Sequence, residues 1–241
     1  NAAVVALTFP SSPLKARNGH TVVTGLPLRA SIAELADRRA DAEGAAQARR
    51  EAAERLGVNP DAPTLLVTGG SLGALHVNES MTGAADALPE GAQVVHLTGR
   101  GKDEPVRTAV EAAGLSDRWH VIDYLTTMED ALAVADLVVC RSGAGTVAEM
   151  EALGLPCIYV PLPIGNGEQR LNAADHVAAG GAQLVDDKDF TADFVRRNVF
   201  PLLGSTRLAD MAAASQSLGR AGAARALADL ALEQVKEAGH E

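Results

Sequence analysis

Apolar residues in this chain gather into short runs, each closed by a glycine turn and followed by an amphipathic stretch. The clearest example is Asp136 to Gln169. Leu137-Val138-Val139-Cys140 reads as a buried strand and Arg141-Ser142-Gly143-Ala144-Gly145 as a glycine-rich turn. Thr146 to Leu153 reads as a helix stopped by Gly154 and Pro156. A second strand, Cys157 to Val160, leads into a loop, Pro161 to Gly167, that ends in Glu168-Gln169.

The same alternation runs on both sides. The pattern predicts a strand over Thr64 to Thr68, the turn Gly69-Gly70-Ser71-Leu72-Gly73 and a helix over Ala74 to Leu88. Strands follow at Gln93 to Thr98 and His120 to Leu125, with helices at Glu104 to Ala113 and Met128 to Ala135. A helix over Gln169 to Ala179 and a strand over Gln183 to Val185 complete the series. Strand–helix repeats with strands apolar throughout imply a parallel sheet covered on both faces. Right-handed crossovers make that a doubly wound, Rossmann-like α/β fold, with ligands beyond the strand C-termini.

Flanking this series, Ala2 to Phe9 and His20 to Thr24 read as short strands. Ser31 to Leu56 reads as one helix with Ser31 and Glu34 as a capping box and Gly57 as its stop. Phe190 to Leu203 and Thr206 to Ser217 read as helices, and Ala223 to Ala238 as a terminal amphipathic helix with Leu227, Leu230, Leu232 and Val235 on its apolar face.

Composition narrows the possibilities. Of 241 residues 47% are hydrophobic and only 3% aromatic, so the core is built from Ala, Val and Leu. The net charge of −10 argues against broad electrostatic binding to nucleic acid. Cys140 and Cys157 fall in expected strands and read as reduced, buried hydrophobes. No run reaches the ~18 apolar residues of a membrane span. The start, NAAVVALTF, has no basic region before its apolar residues and reads as a cut end rather than a signal peptide.

Three places carry candidate chemistry. A glycine turn between a parallel strand and a helix leaves outward N–H groups at the positive end of a helix dipole, which suits a phosphate. Glu149, one turn into that helix, reaches hydroxyls on whatever carries the phosphate; Thr146-x-x-Glu149 also fits a capping box that needs no ligand. Ser71 offers a hydroxyl to an anion or caps its helix, and Arg29 offers a planar fork to a diphosphate or to solvent. Gln169 and Asn172 share one helix face and suit sugar hydroxyls or capping. His20, His76, His96, His120, His176 and His240 form no metal motif, and His96 and His120 fit a satisfied core better than a general base. No metal site, no cofactor and no catalytic base is read from these residues.

Taken together, GLPLR (25–29), GGSLGA (69–74), CRSGAGTVAE (140–149) and VPLPIGNGEQRLNA (160–173) resemble the MurG family, bacterial undecaprenyldiphospho-muramoylpentapeptide β-N-acetylglucosaminyltransferases of peptidoglycan synthesis. The resemblance implies a GT-B fold of two Rossmann-like domains with the active site between them, of which this chain is the C-terminal, donor-binding half. It implies that residues 1–24 are the remnant of the N-terminal acceptor domain, 25–220 the UDP-GlcNAc-binding domain and 221–241 a helix crossing back. It further implies Arg29 and Ser71 on the donor diphosphate, and Tyr124 and Leu125 packing on and hydrogen-bonding uracil. Ala144, Gly145 and Thr146 resemble the phosphate-facing helix start, and the donor-binding stretch runs on through Val147 and Ala148 to Glu149, the carboxylate for the ribose hydroxyls. Gln169, with Glu168 and Asn172, resembles the groups that read GlcNAc. Leu26, Leu72 and Glu168 stand where the family pattern has Asn, Gln and Gln. The implied partners are UDP-GlcNAc and, through the missing domain, the lipid I acceptor, with no nucleic acid. The implied location is peripheral, on the cytoplasmic face of the bacterial plasma membrane. A noncatalytic nucleotide-sugar-binding subunit and a dinucleotide-binding oxidoreductase domain are the alternatives.

Overall fold

The computed structural model describes residues 2–70, 74–164, 166–220 and 222–238. Its centre is a six-stranded sheet, β3 (Thr64–Thr68), β4 (Gln93–Leu97), β5 (Trp119–Ile122), β6 (Leu137–Cys140), β7 (Cys157–Tyr159) and β8 (Ala182–Leu184), ordered β5-β4-β3-β6-β7-β8. Every pairing is parallel. From β3 the chain builds outward to β5, then returns to the other side of β3 to start β6. This is the doubly wound arrangement expected from the alternation.

Successive strand residues point to opposite faces, so each strand feeds two cores. Leu66, Val95, Val138, Cys140 and Tyr159 enter one, and Leu65, Val67, Val94, Val139 and Ile158 the other. The first is covered by α1 (Ala30–Arg38), α2 (Ala42–Leu56), α5 (Met128–Val134), α6 (Ala144–Leu153) and, beyond the short exposed α7 (Glu168–Asn172), by Ala173 and α8 (Ala174–Ala178). Its helices meet through small residues, Ala48, Ala52 and Ala53 of α2 against Ala131 to Ala135, which is how a chain poor in aromatics closes its core. The second is covered by α3 (Leu75–Thr82), α4 (Asp103–Ala112), α9 (Ala192–Phe194) with the π-helical turn Val195–Val199, and α10 (Thr206–Gln216).

At the N-terminal end of the sheet, Arg49 knots three loops together. It donates to Pro60 O (2.6 Å), Ala62 O (2.8 Å) and both oxygens of Asp136 (2.9 and 3.0 Å), while Asp136 also accepts from Thr64 N (2.8 Å). This knot fixes β3 and β6 side by side at their starts.

Several elements differ from the sequence expectation. The stretch Ser31 to Leu56 is two helices, because Asp41 accepts from Gly44 N (2.8 Å) and caps a new helix. The Ser31 capping box does not form: helix α1 starts at Ala30 after Arg29, and Ser31 donates to Glu129 (3.2 Å). The expected helix over Gln169 to Ala179 is likewise divided, at Ala173. The strands β1 (Val4–Leu7) and β2 (His20–Val23) pair with each other in a separate parallel sheet, while Phe9 just beyond β1 is buried in the first core. Helix α11 (Ala223–Ala238) buries Ala223 and exposes Leu232 and Val235.

Buried polar groups tie the layers. Trp119 Nε1 donates to His96 Nδ1 (3.2 Å), which leaves His96 Nε2 to donate to Asn78 Oδ1 (3.0 Å). His176 bridges Tyr159 Oη (2.9 Å) and Ser215 Oγ (2.7 Å). A Cβ at Gly181 would stand 2.6 Å from the His176 ring, so only glycine lets β8 approach this network. Burial holds His96 down at about 3 and His176 at about 4. Their neutral rings contribute stability that is present above the ordinary value of 6.5 and lost as pH falls through those values. His96 is thus the core residue its strand context suggested, whereas His120, read the same way, is only half-buried, and His176 is a core residue that the sequence had not marked.

Glu151 has the opposite sign. Burial and the Asp175 carboxylate push it up to about 7, partly offset by Arg220, and its Oε1 has no hydrogen-bond partner. Stability from this group is present below its ordinary 4.5 and lost as pH rises through about 7. Glu151→Gln is therefore expected to raise the thermal midpoint at pH 8 by about 2–4 °C, with the gain vanishing towards pH 5. Thermal melts of the two proteins across pH check this; an equal shift at both ends would show that ionisation is not the cause.

Candidate functional site

The chain reverses direction between β3 and β6, and a cavity of about 240 Å³ opens beyond the C-terminal ends of these strands. Thr68 and Gly70 line it from β3, Leu97 and Gly99 from β4, and Cys140 and Arg141 from β6. Thr146, Glu149 and Met150 face it from α6, and Arg29, Tyr124 and Leu125 border it from loops. A crevice at a strand-order reversal is where ligands bind in open α/β sheets, because the flanking loops diverge there.

The start of α6 forms one wall. Its N-cap is Gly143, with no side-chain cap and no acidic residue in the first turn. The capping-box reading of Thr146 and Glu149 therefore fails: Thr146 lies inside the helix and Glu149 bonds elsewhere. A Cβ built on Gly145 would meet nothing within 4 Å, and one on Gly143 only Thr146 Oγ1 at 3.9 Å. Protein packing does not demand these glycines, and the space over the helix start is open. An uncapped, uncrowded helix N-terminus is suited to an anion.

Glu149 Oε1 accepts from Arg29 Nε (3.0 Å) and Nη2 (2.9 Å). The two residues assigned to ribose and diphosphate are thus each other's partner across the same cavity. Tyr124 is 40% exposed and carries the Arg100 guanidinium 3.6 Å from its ring centroid. The turn that presents Arg100 is clasped to the same loop, with Gly99 N donating to Asp123 O (3.1 Å) and Gly101 N to Asp123 Oδ1 (2.7 Å). Val147 is buried in the core behind the site, and Ala148 is half-buried on α6. Ser71 and Leu72 lie outside the described residues.

A second cavity, of about 490 Å³, lies beside the first, between the loop after β7 and the segment Asp186–Lys188. Gln169 and Glu168 line it, and Gln169 joins the two cavities: its Oε1 accepts from Leu162 N (3.0 Å) and Ser142 N (3.3 Å). Asn172 Nδ2 donates to Ser142 O (3.1 Å). Both amides hold the Ser142 turn through its backbone, and among the described residues Gln169 Nε2 and Asn172 Oδ1 have no partner. Glu168 Oε1 accepts from Asn166 Nδ2 (2.9 Å).

Arg141 is the residue that sequence reasoning passed over. Its Nη1 donates to Val160 O (2.9 Å), Pro161 O (3.0 Å) and Asp187 Oδ1 (2.5 Å), locking the second loop to the first turn. Among the described residues its Nε and the Ser142 hydroxyl are buried without partners. The signal was present in the sequence, a cation in the turn between strand and helix, but its targets lie in later loops. Asp187-Lys188-Asp189 does have an Asp-x-Asp spacing, although Asp187 is engaged by Arg141. Among the described residues, no group of three or more His, Cys, Asp or Glu side chains is placed to hold a metal ion.

Comparison with known proteins agrees with this geometry. The chain is 46% identical over 240 residues to the UDP-N-acetylglucosamine–N-acetylmuramyl-(pentapeptide) pyrophosphoryl-undecaprenol N-acetylglucosamine transferase of Bifidobacterium longum, covering 93% of this chain and 60% of that protein. It is 44% identical over 236 residues to the protein of the same name from Streptomyces coelicolor, covering 97% and 61%. The chain thus spans about three fifths of the length of these curated relatives. The crystal structure of Acinetobacter baumannii MurG superposes with a TM-score of 0.71 at 25% identity, covering 95% of this chain and 60% of that one. WaaG, a glycosyltransferase of lipopolysaccharide biosynthesis, shares the fold with a TM-score of 0.54 at 17% identity. The profile of the glycosyltransferase family 28 C-terminal domain matches residues 64–227, which takes in the whole six-stranded sheet and the lining of both cavities except Arg29. A doubly wound domain with its open helix start at the strand-order reversal, matched by that profile over more than half its length, belongs to glycosyltransferase family 28.

Proposed function

We propose that this chain is the donor-binding part of an inverting glycosyltransferase that moves GlcNAc from UDP-GlcNAc to lipid I, undecaprenyl-diphospho-MurNAc-pentapeptide, giving lipid II. The observation that carries this reading is the convergence of Glu149, Arg29 and the open start of α6 on one cavity. A carboxylate for a diol, a guanidinium for a diphosphate and unpaired N–H groups for phosphate oxygens are the complement of a nucleoside diphosphate.

In this reading the uracil lies between Tyr124, Leu125 and the strand ends, and the ribose diol takes Glu149. Ala144, Gly145 and Thr146 face the phosphates, and Ser71, outside the described residues, is assigned to them from the resemblance alone. The sugar extends into the larger cavity, towards Gln169, Glu168 and Asn172. As the glycosidic bond breaks, negative charge builds on the UDP leaving group. The α6 dipole and Arg29 stabilise that charge more in the transition state than in the ground state. The acceptor and the catalytic base belong to the remainder of the longer relatives, so this chain binds donor and turns over little by itself. Residues 1–24 are assigned to that acceptor domain, 25–220 to the donor domain and 221–241 to a segment returning to the acceptor side; the exposed apolar face of α11 supports the last assignment. Among the described residues no helix is long and apolar enough to cross a membrane. Peripheral attachment at the cytoplasmic face is assigned to the intact enzyme, where the lipid-linked acceptor resides.

Calorimetry of this chain with UDP-GlcNAc, UDP-GalNAc and NADH tests the reading. UDP-GlcNAc is expected to bind most tightly and Glu149→Ala to weaken it by about tenfold or more, the scale of a lost charged hydrogen bond. Tight NADH binding without UDP competition would replace it with the oxidoreductase alternative. Gly145→Ala separates binding from folding. It is expected to leave the fold intact or stabilise it by about 0.5–1 kcal/mol, as alanine does within a helix, while weakening UDP binding. Unchanged UDP affinity in that variant would remove the helix start from the site.

A further inference from the structure

The Arg29–Glu149 pair sits where a ligand has to go. Both side chains line the smaller cavity, and both Arg29 contacts, from Nε at 3.0 Å and Nη2 at 2.9 Å, fall on the same carboxylate oxygen. Glu149 is anchored, with its side chain 15% exposed on the rigid α6. Arg29 is not: its side chain is 53% exposed, it precedes the first turn of α1, and among the described residues Glu149 is its only polar side-chain contact. One partner is fixed and the other can swing.

A ribose diol binds a carboxylate through two donors, which calls on the oxygen that Arg29 occupies. A ligand offering only a nucleoside competes with Arg29 for Oε1 and gives that cation nothing in exchange. A nucleoside diphosphate also displaces Arg29, but supplies phosphate oxygens that match its planar fork.

We infer that the Arg29–Glu149 ion pair is a latch on the empty site, opened by exchange of Arg29 from the carboxylate to the ligand's diphosphate, and that it sets selectivity for nucleoside diphosphates over nucleosides. This rests on the nucleotide reading of the cavity and adds a second task for Arg29. The residue opposes binding of the nucleoside moiety and favours binding of the phosphates. A partly exposed pair of this kind shifts an equilibrium by up to about fivefold, so the latch sharpens selectivity and does not close the site.

The test is calorimetry of the chain with uridine and with UDP, for the parent and for Arg29→Met, which keeps the reach of the side chain without its charge. Uridine is expected to bind Arg29→Met about three- to fivefold more tightly than the parent, on the scale of the exposed pair. UDP is expected to bind the same variant about tenfold more weakly, on the scale of a charged hydrogen bond. A parallel loss for both ligands would mean that Arg29 orients Glu149 for the diol, and would overturn the latch. Unchanged UDP affinity would mean that Arg29 never changes partner, and would overturn it as well. Failure of the parent to bind either ligand would refute the nucleotide reading itself, a result distinct from both.

Discussion

Everything at the ligand end of the molecule depends on β3 and β6 being hydrogen-bonded neighbours. Their register sets Thr68 opposite Cys140, so the residues that follow them, Gly69-Gly70 and Arg141-Ser142, leave the sheet side by side. A parallel sheet cannot place consecutive strands on both sides of its first strand without a reversal, and the reversal leaves a gap that no crossover covers. Arg49 and Asp136 secure this pairing from the far end, where they bind the strand starts and the loop before β3. The proposed site lies at one end of the sheet and the polar knot at the other. Both follow from the same adjacency.

The two cavities are joined by side chains that serve backbone. Gln169 and Asn172 hold the Ser142 turn, and Arg141 holds the loop after β7. The Ser142 turn and the loop after β7 are therefore one cross-linked unit, and a displacement of either is felt by the other. Such support costs little conformational freedom at the moment of binding, because the polar groups are already placed.

Charge is distributed with equal economy. The chain carries −10 overall, yet Arg29, Arg141 and Arg170 gather around the two cavities. Each is paired with an acid of the same region, namely Glu149, Asp187 and Asp186. An acidic protein can thus keep cations beside an anion site without an uncompensated positive patch. The pairs differ in burial: the Arg141 pair is largely shielded and acts as a strut, whereas Arg29 and Arg170 are more than half exposed.

The sequence by itself determined the strand–helix alternation, the parallel sheet, the glycine turns and the family. These depend on local periodicity and on short motifs, which are written contiguously along the chain. It also marked Glu149, Gly145 and Gln169 as candidates, and Glu149 lines the smaller cavity and Gln169 the larger. Only the tertiary structure decided what their side chains touch. The break between α1 and α2 turned on the Asp41 cap, which outweighed a long run of mostly helix-forming residues. The capping boxes at Ser31 and Thr146 gave way to partners in other elements, Glu129 for the first and Arg29, through Glu149, for the second. Arg29 and Glu149 stand 120 positions apart, and no local pattern records that they meet. Such pairings are fixed by which strands become neighbours, and that choice is made by burying both faces of the sheet at once.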